Sequence, residues 1–184
     1  MLNNFTIKKI LFIIISVFLI TDVFSQIIYT DISDTIISTN GPSVDYDVDI
    51  DGNQVTDFTI NLLGDDSLGY IVIKSTFSPL NGCLEAGLGE ARNLNYGDTV
   101  NSNASTWNPL VSDLPIVTYL NGSSFGSTFN GGVVDGYLGF RFAIGLNLHY
   151  GWIRLDVSDM KVEIVIKDFA YESSGAYIIV GEGG

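Results

Sequence analysis

Apolar and polar residues alternate along most of this chain with the two-residue period that is typical of half-buried β-strands. The alternation is clearest in the last third, over residues 137–144, 148–157 and 161–171, and a short strand is predicted at 176–180. The links between the three long segments have hairpin length. The pattern therefore predicts three consecutive antiparallel strands that form a meander.

Earlier strands are predicted at residues 27–38, 46–50, 56–63 and 70–77, separated by turns rich in Gly, Asn and Asp. The periodicity fades between residues 78 and 132. We expect short strands there at 91–93 and 116–119, because a structureless run of that length is unusual inside a domain. After the N-terminal segment, no stretch shows the apolar stripe of a three-turn helix. The prediction is a single all-β domain over residues 26–184, an antiparallel β-sandwich of the jelly-roll kind or a similar one.

The first 25 residues follow another pattern. Lys8 and Lys9 precede an apolar run over residues 10–20, and a short polar stretch then ends at Ser25. A positive flank, a short apolar core and small residues before a cleavage point are typical of a secretory signal peptide. The run is about half as long as the roughly 20 residues of a lasting membrane anchor. We predict that residues 1–25 form a cleaved signal helix, and that the mature chain has no membrane span and is periplasmic or extracellular.

Composition narrows the classes of partner. The formal net charge is −13, and such an acidic chain repels the phosphates of nucleic acids, so no nucleic acid partner is expected. The same charge attracts cations. Cys83 is the only cysteine, which excludes a disulfide within the chain. Stability is therefore expected to come from packing and from a bound ion.

Carboxylates and one amide are concentrated around the turn that is predicted between residues 50 and 56. Ca²⁺ takes six to eight hard oxygen ligands, and a tight loop turns alternate side chains inward. The sequence therefore predicts a Ca²⁺ site in this segment. Its candidate ligands are Asp47, Asp49, Asp51, Asn53 and Asp57.

Two ligand registers fit this segment. In one, three alternating aspartates end at Asp51 and Gly52 makes the turn. In the other, the ligands begin at Asp49 and close at Asp57, the ninth position, although Gln54 then stands where a turn glycine is usual. We prefer the second register, because Asp57 begins the following strand. The alternative without an ion is an edge strand with solvated aspartates on one face, which discourages edge-to-edge pairing.

Four segments of the chain resemble segments of a known protein family. Residues 46–58 read YDVDIDGNQVTDF, and residues 137–142, 149–157 and 167–172 read YLGFRF, HYGWIRLDV and KDFAYE. Together they resemble a family of secreted bacterial proteins of unknown function that usually carry a C-terminal sorting tail of the type IX secretion or PEP-CTERM kind. The resemblance implies an exported β-rich domain and no catalytic residue. The tail expected after Gly184 is not in this sequence, which leaves the final location outside the cytoplasm open.

The sequence shows no recognisable group of catalytic residues. His149 is the only histidine, and no Gly-x-Ser-x-Gly elbow or comparable nucleophile accompanies it. A zinc site needs more nitrogen or sulfur ligands than one His and one Cys. We therefore predict a hydrogen-bonded structural role for His149 and a protein that is not an enzyme.

One strand face remains as a possible ligand surface. Tyr150, Trp152 and Arg154 share a face of the strand at 148–157, and an exposed aromatic row can stack on sugar rings. The alternative, which we prefer, is that this face packs against the second sheet with Arg154 paired to an acid. The preferred function is a Ca²⁺-stabilised structural or adhesive domain at the cell envelope, with glycans or cell-surface proteins as partners. A carbohydrate-binding module is the second candidate and a polysaccharide-active enzyme is the third.

Overall fold

The computed structural model describes residues 25–65, 67–75, 78–87, 89–104, 106–110, 112–125 and 128–184. Residues 1–24 of the predicted signal peptide and the last two residues of the strand predicted at 70–77 lie outside these ranges. The described ranges hold fourteen β-strands. Within them, no helix is both long enough and apolar enough to cross a lipid bilayer.

Two large sheets and one small ribbon contain all fourteen strands, and every pairing between these strands is antiparallel. The larger sheet has the order β1 (Ile27–Ser38), β13 (Glu163–Glu172), β12 (Asn147–Val157), β11 (Val133–Ile144), β5 (Gly82–Leu84) and β8 (Trp107–Asn108), with β6 (Asn93–Leu94) also paired to β11. The smaller sheet has the order β10 (Ser123–Phe125), β9 (Leu114–Leu120), β4 (Leu68–Lys74), β3 (Phe58–Gly64) and β2 (Gly41–Val48). The ribbon pairs β7 (Thr99–Val100) with β14 (Ile178–Ile179). The predicted all-β antiparallel sandwich is confirmed.

The main core lies between the two sheets. Strand alternation points Phe58, Ile60 and Leu62 of β3 inward, and Phe140 and Phe142 of β11 join the same cluster. The Phe58 and Phe140 ring centroids are 5.3 Å apart. The apolar alternation read from the sequence therefore marks the residues that hold the two sheets together.

The outer face of the larger sheet is also buried. Tyr137, Tyr150 and Trp152 lie on it, and they pack with Val100 of β7 and Ile178 of β14. We call this second group the outer-face cluster. The ribbon and the chain around it thus cover the side of the larger sheet that faces away from the smaller one.

A β-bulge in β13 decides which side chains join each cluster. The pairs Arg154–Asp168 and Leu155–Ile166 are consecutive, so Lys167 is an extra residue on its strand. Strict alternation from Ile166 would point Asp168 into the main core. The bulge instead places Asp168 beside Arg154 on the outer face.

Most of the predicted strands are confirmed, and the meander is β11–β12–β13. The strand predicted at 46–50 is wrong at both ends, because β2 begins at Gly41, inside the segment expected to turn, and ends at Val48. Four strands were not predicted, namely β5, β7, β8 and β10. They have two or three residues each, which is too short for a period of two to be visible.

Candidate metal site

The acidic residues gather in the connection between β2 and β3, residues 49–57, which we call the acidic turn. Its base is closed by a hydrogen bond from the backbone N–H of Asp57 to the carbonyl of Val48 at 2.9 Å. Ile50 anchors it from within, because its side chain is buried in the main core. Gly52 and Gln54 have φ values of 75° and 70°, in the left-handed region. The chain thus makes a tight bend, and Gln54 does take a conformation that favours glycine.

Asp49 organises the bend. Its Oδ1 accepts hydrogen bonds from the backbone N–H groups of Gly52 at 2.9 Å and Asn53 at 3.2 Å, and its Oδ2 accepts one from Gln54 at 2.7 Å. Asp51 adds a bond from the backbone N–H of Asn53 to its Oδ1 at 3.1 Å. These backbone donors hold the two carboxylates in place and offset part of their negative charge.

Asp57 sits at the end of the turn and is buried, with 8% of its surface exposed. Its Oδ2 accepts the backbone N–H of Ile50 at 2.8 Å. Burial raises the pKa of Asp57 from 3.8 to about 6, and the charges of Asp51 and Asp49 act in the same direction. A cation bound here would offset the repulsion between this buried carboxylate and the two others.

One oxygen from each of Asp49, Asp51 and Asp57 lies within 4.8 Å of the other two. Ca²⁺–oxygen distances are about 2.3–2.6 Å, so two oxygens on one ion are separated by at most about 5 Å. The three oxygens therefore have the spacing of ligands around a single ion. Backbone carbonyls and water would have to supply the remaining ligands.

The other two predicted ligands lie differently. Asn53 is exposed, donates from Nδ2 to Asp51 at 3.0 Å and accepts the Val55 N–H at 2.7 Å through Oδ1. Asp47 is exposed on β2 and accepts the Thr59 hydroxyl at 2.8 Å. The structure thus brings together Asp49 and Asp57, the first and last ligands of the second register. Asp47 instead lies on β2, the edge strand of the smaller sheet, which is the position expected for an aspartate that binds no ion.

Comparison of the chain with models of protein families, with curated proteins and with solved structures finds no match. The resemblance carried by residues 46–58 and 137–172 stays a prediction.

The predicted ligand face is not an open surface. Tyr150 and Trp152 have 5% and 1% of their surface exposed and belong to the outer-face cluster. Arg154 donates from Nε to Asp168 at 3.0 Å, and its Nη2 contacts the other oxygen of the same carboxylate. Tyr150 and Trp152 are therefore buried, and Arg154, which is partly exposed, is paired with an acid. The prediction that this face packs against the second sheet is wrong. The ribbon of β7 and β14 covers it, and the opposite side of β12 faces the smaller sheet.

His149 is buried at the start of β12. Its Nδ1 is 3.0 Å from the carbonyl oxygen of Glu172, and its ring contacts those of Phe142 and Tyr171. This is the environment expected for a structural histidine.

A group of charges on the outer face of the larger sheet was not predicted from the sequence. Lys167 contacts Asp135 at 2.8 Å and Asp156 at 2.7 Å, and Asp135 is 3.5 Å from Arg154. These residues are far apart in sequence and meet only because β11, β12 and β13 are adjacent. The sequence indicates only one part of this group, because alternation places Arg154 and Asp156 on the same face of their strand.

Proposed function

We propose that this chain is an exported, non-catalytic β-sandwich domain whose acidic turn binds Ca²⁺, with a structural or adhesive role at the cell envelope. The convergence of carboxylate oxygens from Asp49, Asp51 and Asp57 is the single observation that carries the Ca²⁺ proposal. Export rests on the signal-peptide pattern of residues 1–25.

The donor set favours Ca²⁺ over other cations. All three candidate ligands are hard carboxylate oxygens, whereas zinc sites in proteins are built mainly from sulfur and nitrogen ligands. Mg²⁺ demands octahedral geometry at about 2.0–2.1 Å and keeps much of its water. A bend of alternating carboxylates suits the larger and less demanding Ca²⁺ ion.

Binding would act on the fold through the turn. Asp49 and Asp51 lie just after the end of β2, and Asp57 immediately precedes β3. Because β2 and β3 are paired, one ion would connect the ends of two neighbouring strands. An ion that binds only the folded chain stabilises it by about 2.7 kcal/mol when its concentration is 100 times the dissociation constant. This effect would stiffen a domain that has no disulfide within its chain.

The test is calorimetric titration of the purified chain with CaCl₂ after treatment with a chelator, together with thermal unfolding. We expect measurable heat and a rise in Tm of several degrees, at about 2–4 °C per kcal/mol. MgCl₂ at the same concentration is the control and should have a much smaller effect. Absence of both heat and a melting shift with CaCl₂ would rule the Ca²⁺ site out.

Export is tested separately. The chain is expressed with its own N-terminus in a bacterial host, and the cell fractions are analysed by mass spectrometry. We expect the protein outside the cytoplasm with a new N-terminus near Gln26. An intact chain that stays in the cytoplasm would contradict this part of the proposal.

A further inference from the structure

A cleft of about 530 Å³ opens on the outer face of the larger sheet, and none of its lining residues belongs to the acidic turn. Its volume is in the range of small-molecule sites. Tyr96 and Tyr137 supply aromatic rings, and Asn95, Asp135 and Arg154 supply polar groups. The cleft therefore combines a flat apolar wall with several hydrogen-bonding side chains.

Tyr96 stands out on this wall because 77% of its surface is exposed. The turn that carries it is held on both sides. Asp98 donates its N–H to the Asn95 carbonyl at 3.1 Å and accepts the Asn95 N–H through Oδ2 at 2.9 Å. The N–H of Gly97 bonds to the Val180 carbonyl at 3.0 Å, and the Val180 N–H bonds to the Asp98 carbonyl at 2.8 Å. A rigid turn thus presents the exposed ring.

The ring is also supported from below. It packs on the backbone of Gly181, where an added Cβ would collide with two of the ring atoms. Gly181 has a φ of 85°, so this position disfavours any larger residue for two independent reasons. This contact restricts the ring from one side, which lowers the conformational entropy that it loses when a ligand stacks on its other side.

Hydrogen bonds to neighbouring residues also hold the polar side chains of the cleft in place. Arg154 is held by Asp168, and Oδ1 of Asp135 is held by Lys167 at 2.8 Å. Oδ2 of Asp135 and the side-chain amide of Asn95 make no hydrogen bond to the residues that the structure describes. Acceptors and donors are therefore available a short distance from an exposed aromatic ring.

Charge narrows the class of ligand. Arg154 and Lys167 are each paired with carboxylates, so the cleft offers no unpaired cation to an anionic ligand. The chain carries a net charge of −13, which disfavours polyanions further. A pyranose sugar has an apolar C–H face and hydroxyl groups around its rim that both donate and accept. We infer that this cleft binds a neutral sugar, which stacks on Tyr96 while its hydroxyls bond to Asp135 and Asn95.

The site differs from the face of Tyr150 and Trp152, whose rings are covered. It also does not depend on Ca²⁺, since no residue of the acidic turn lines it. The accessible ring is thus Tyr96, and not the covered aromatic row that the sequence suggested for the same class of ligand.

The test titrates the purified full chain, by calorimetry and by ¹H–¹⁵N NMR, with short oligomers of glucose, mannose, galactose, xylose and N-acetylglucosamine. Polygalacturonate and a proline-rich peptide are included as an anionic and a non-sugar probe. We expect saturable binding of at least one neutral oligomer, with shifts at the Asn95 side-chain amide and at Gly136. Binding of no neutral oligomer, or of the anionic or peptide probe alone, would overturn the inference.

Three variants locate the site. Tyr96→Ala should weaken binding at least tenfold, which is about 1.4 kcal/mol, and Tyr96→Phe should keep the affinity because only the ring is required. Tyr177→Ala is the matched control, since Tyr177 has 59% of its surface exposed and does not line the cleft. Unchanged binding by Tyr96→Ala would refute the inference. If that variant is misfolded by circular dichroism, NMR shifts in the wild type that avoid Asn95 and Gly136 would refute it equally.

Discussion

Replacing Asp57 with asparagine separates the energetic cost of burying this carboxylate from its use as a Ca²⁺ ligand. The amide oxygen of asparagine can still accept the Ile50 N–H, which Asp57 accepts at 2.8 Å. Burial raises the pKa of Asp57 from 3.8 to about 6. Each pKa unit is worth about 1.4 kcal/mol, so without an ion the ionised carboxylate destabilises the fold by about 3 kcal/mol at neutral pH.

The pH dependence has a definite sign. Below about pH 4, Asp57 is protonated in the folded and the unfolded chain, so the substitution changes stability little. Between about pH 4 and pH 6 the folded chain binds more protons than the unfolded chain, and the contribution of Asp57 to wild-type stability falls as the pH rises. With a chelator present, Asp57→Asn should therefore be more stable than the wild type near pH 7 by up to about 3 kcal/mol, or about 6–12 °C in Tm. Saturating Ca²⁺ should reverse this order, because binding requires the ionised carboxylate.

The measurement is urea unfolding at several pH values, with a chelator and with CaCl₂. Asp47→Asn is the matched control, because Asp47 is exposed, lies outside the cluster and accepts only a hydroxyl bond from Thr59 that asparagine can also accept. This control should change stability by less than about 0.5 kcal/mol and leave the Ca²⁺ response intact. The reasoning is refuted if Asp57→Asn is less stable than the wild type in chelator near pH 7, or if Ca²⁺ stabilises both proteins equally.

Three further predictions concern the larger sheet. Gly151→Ala should destabilise the fold by about 1–3 kcal/mol or more in urea unfolding, because the added Cβ would collide with the Phe140 ring; wild-type stability would contradict this packing. Asp168→Ala should cost about 1.5–3 kcal/mol by the same assay, since it leaves the partly exposed Arg154 without its main partner; a loss below about 1 kcal/mol would show that the ion pair is dispensable. Cys83 should not react with a thiol reagent until the chain unfolds, because burial raises its pKa well above the usual range; rapid modification of the native protein would disprove its burial.

Much of the fold could be predicted because it depends on local alternation. The three strands of the meander show a clear period of two, and each was found within a few residues of its predicted bounds. Alternation separated the two faces of β12, but the face of Tyr150 and Trp152, which was expected to meet the smaller sheet, is the outer one. It did not predict β7 or the pairing of β7 with β14, because the pair Val100–Ile178 joins segments 78 residues apart and leaves no periodic signal.

The candidate site was partly predictable for the same reason. Spacing alone predicted a turn with Asp49, Asp51 and Asp57 on its inner side. Spacing could not show that Asp47 lies outside the cluster, because Asp47 is also two residues from the next aspartate. Asp47 is in a strand, where its side chain contacts Thr59 instead. The end of β2 at Val48 decides which aspartates belong to the turn, and that boundary depends on pairing with β3.

The sequence by itself determined that this chain is a β-sandwich with an acidic turn, because a period of two and a cluster of like charges are both local properties. Only the tertiary structure decided where Asp168 points, since one extra residue at Lys167 reverses the faces of the rest of β13. It also decided that Trp152 is covered while Tyr96 is exposed. Burial of a sheet face depends on which distant segment lies across it, and no spacing within a strand contains that information.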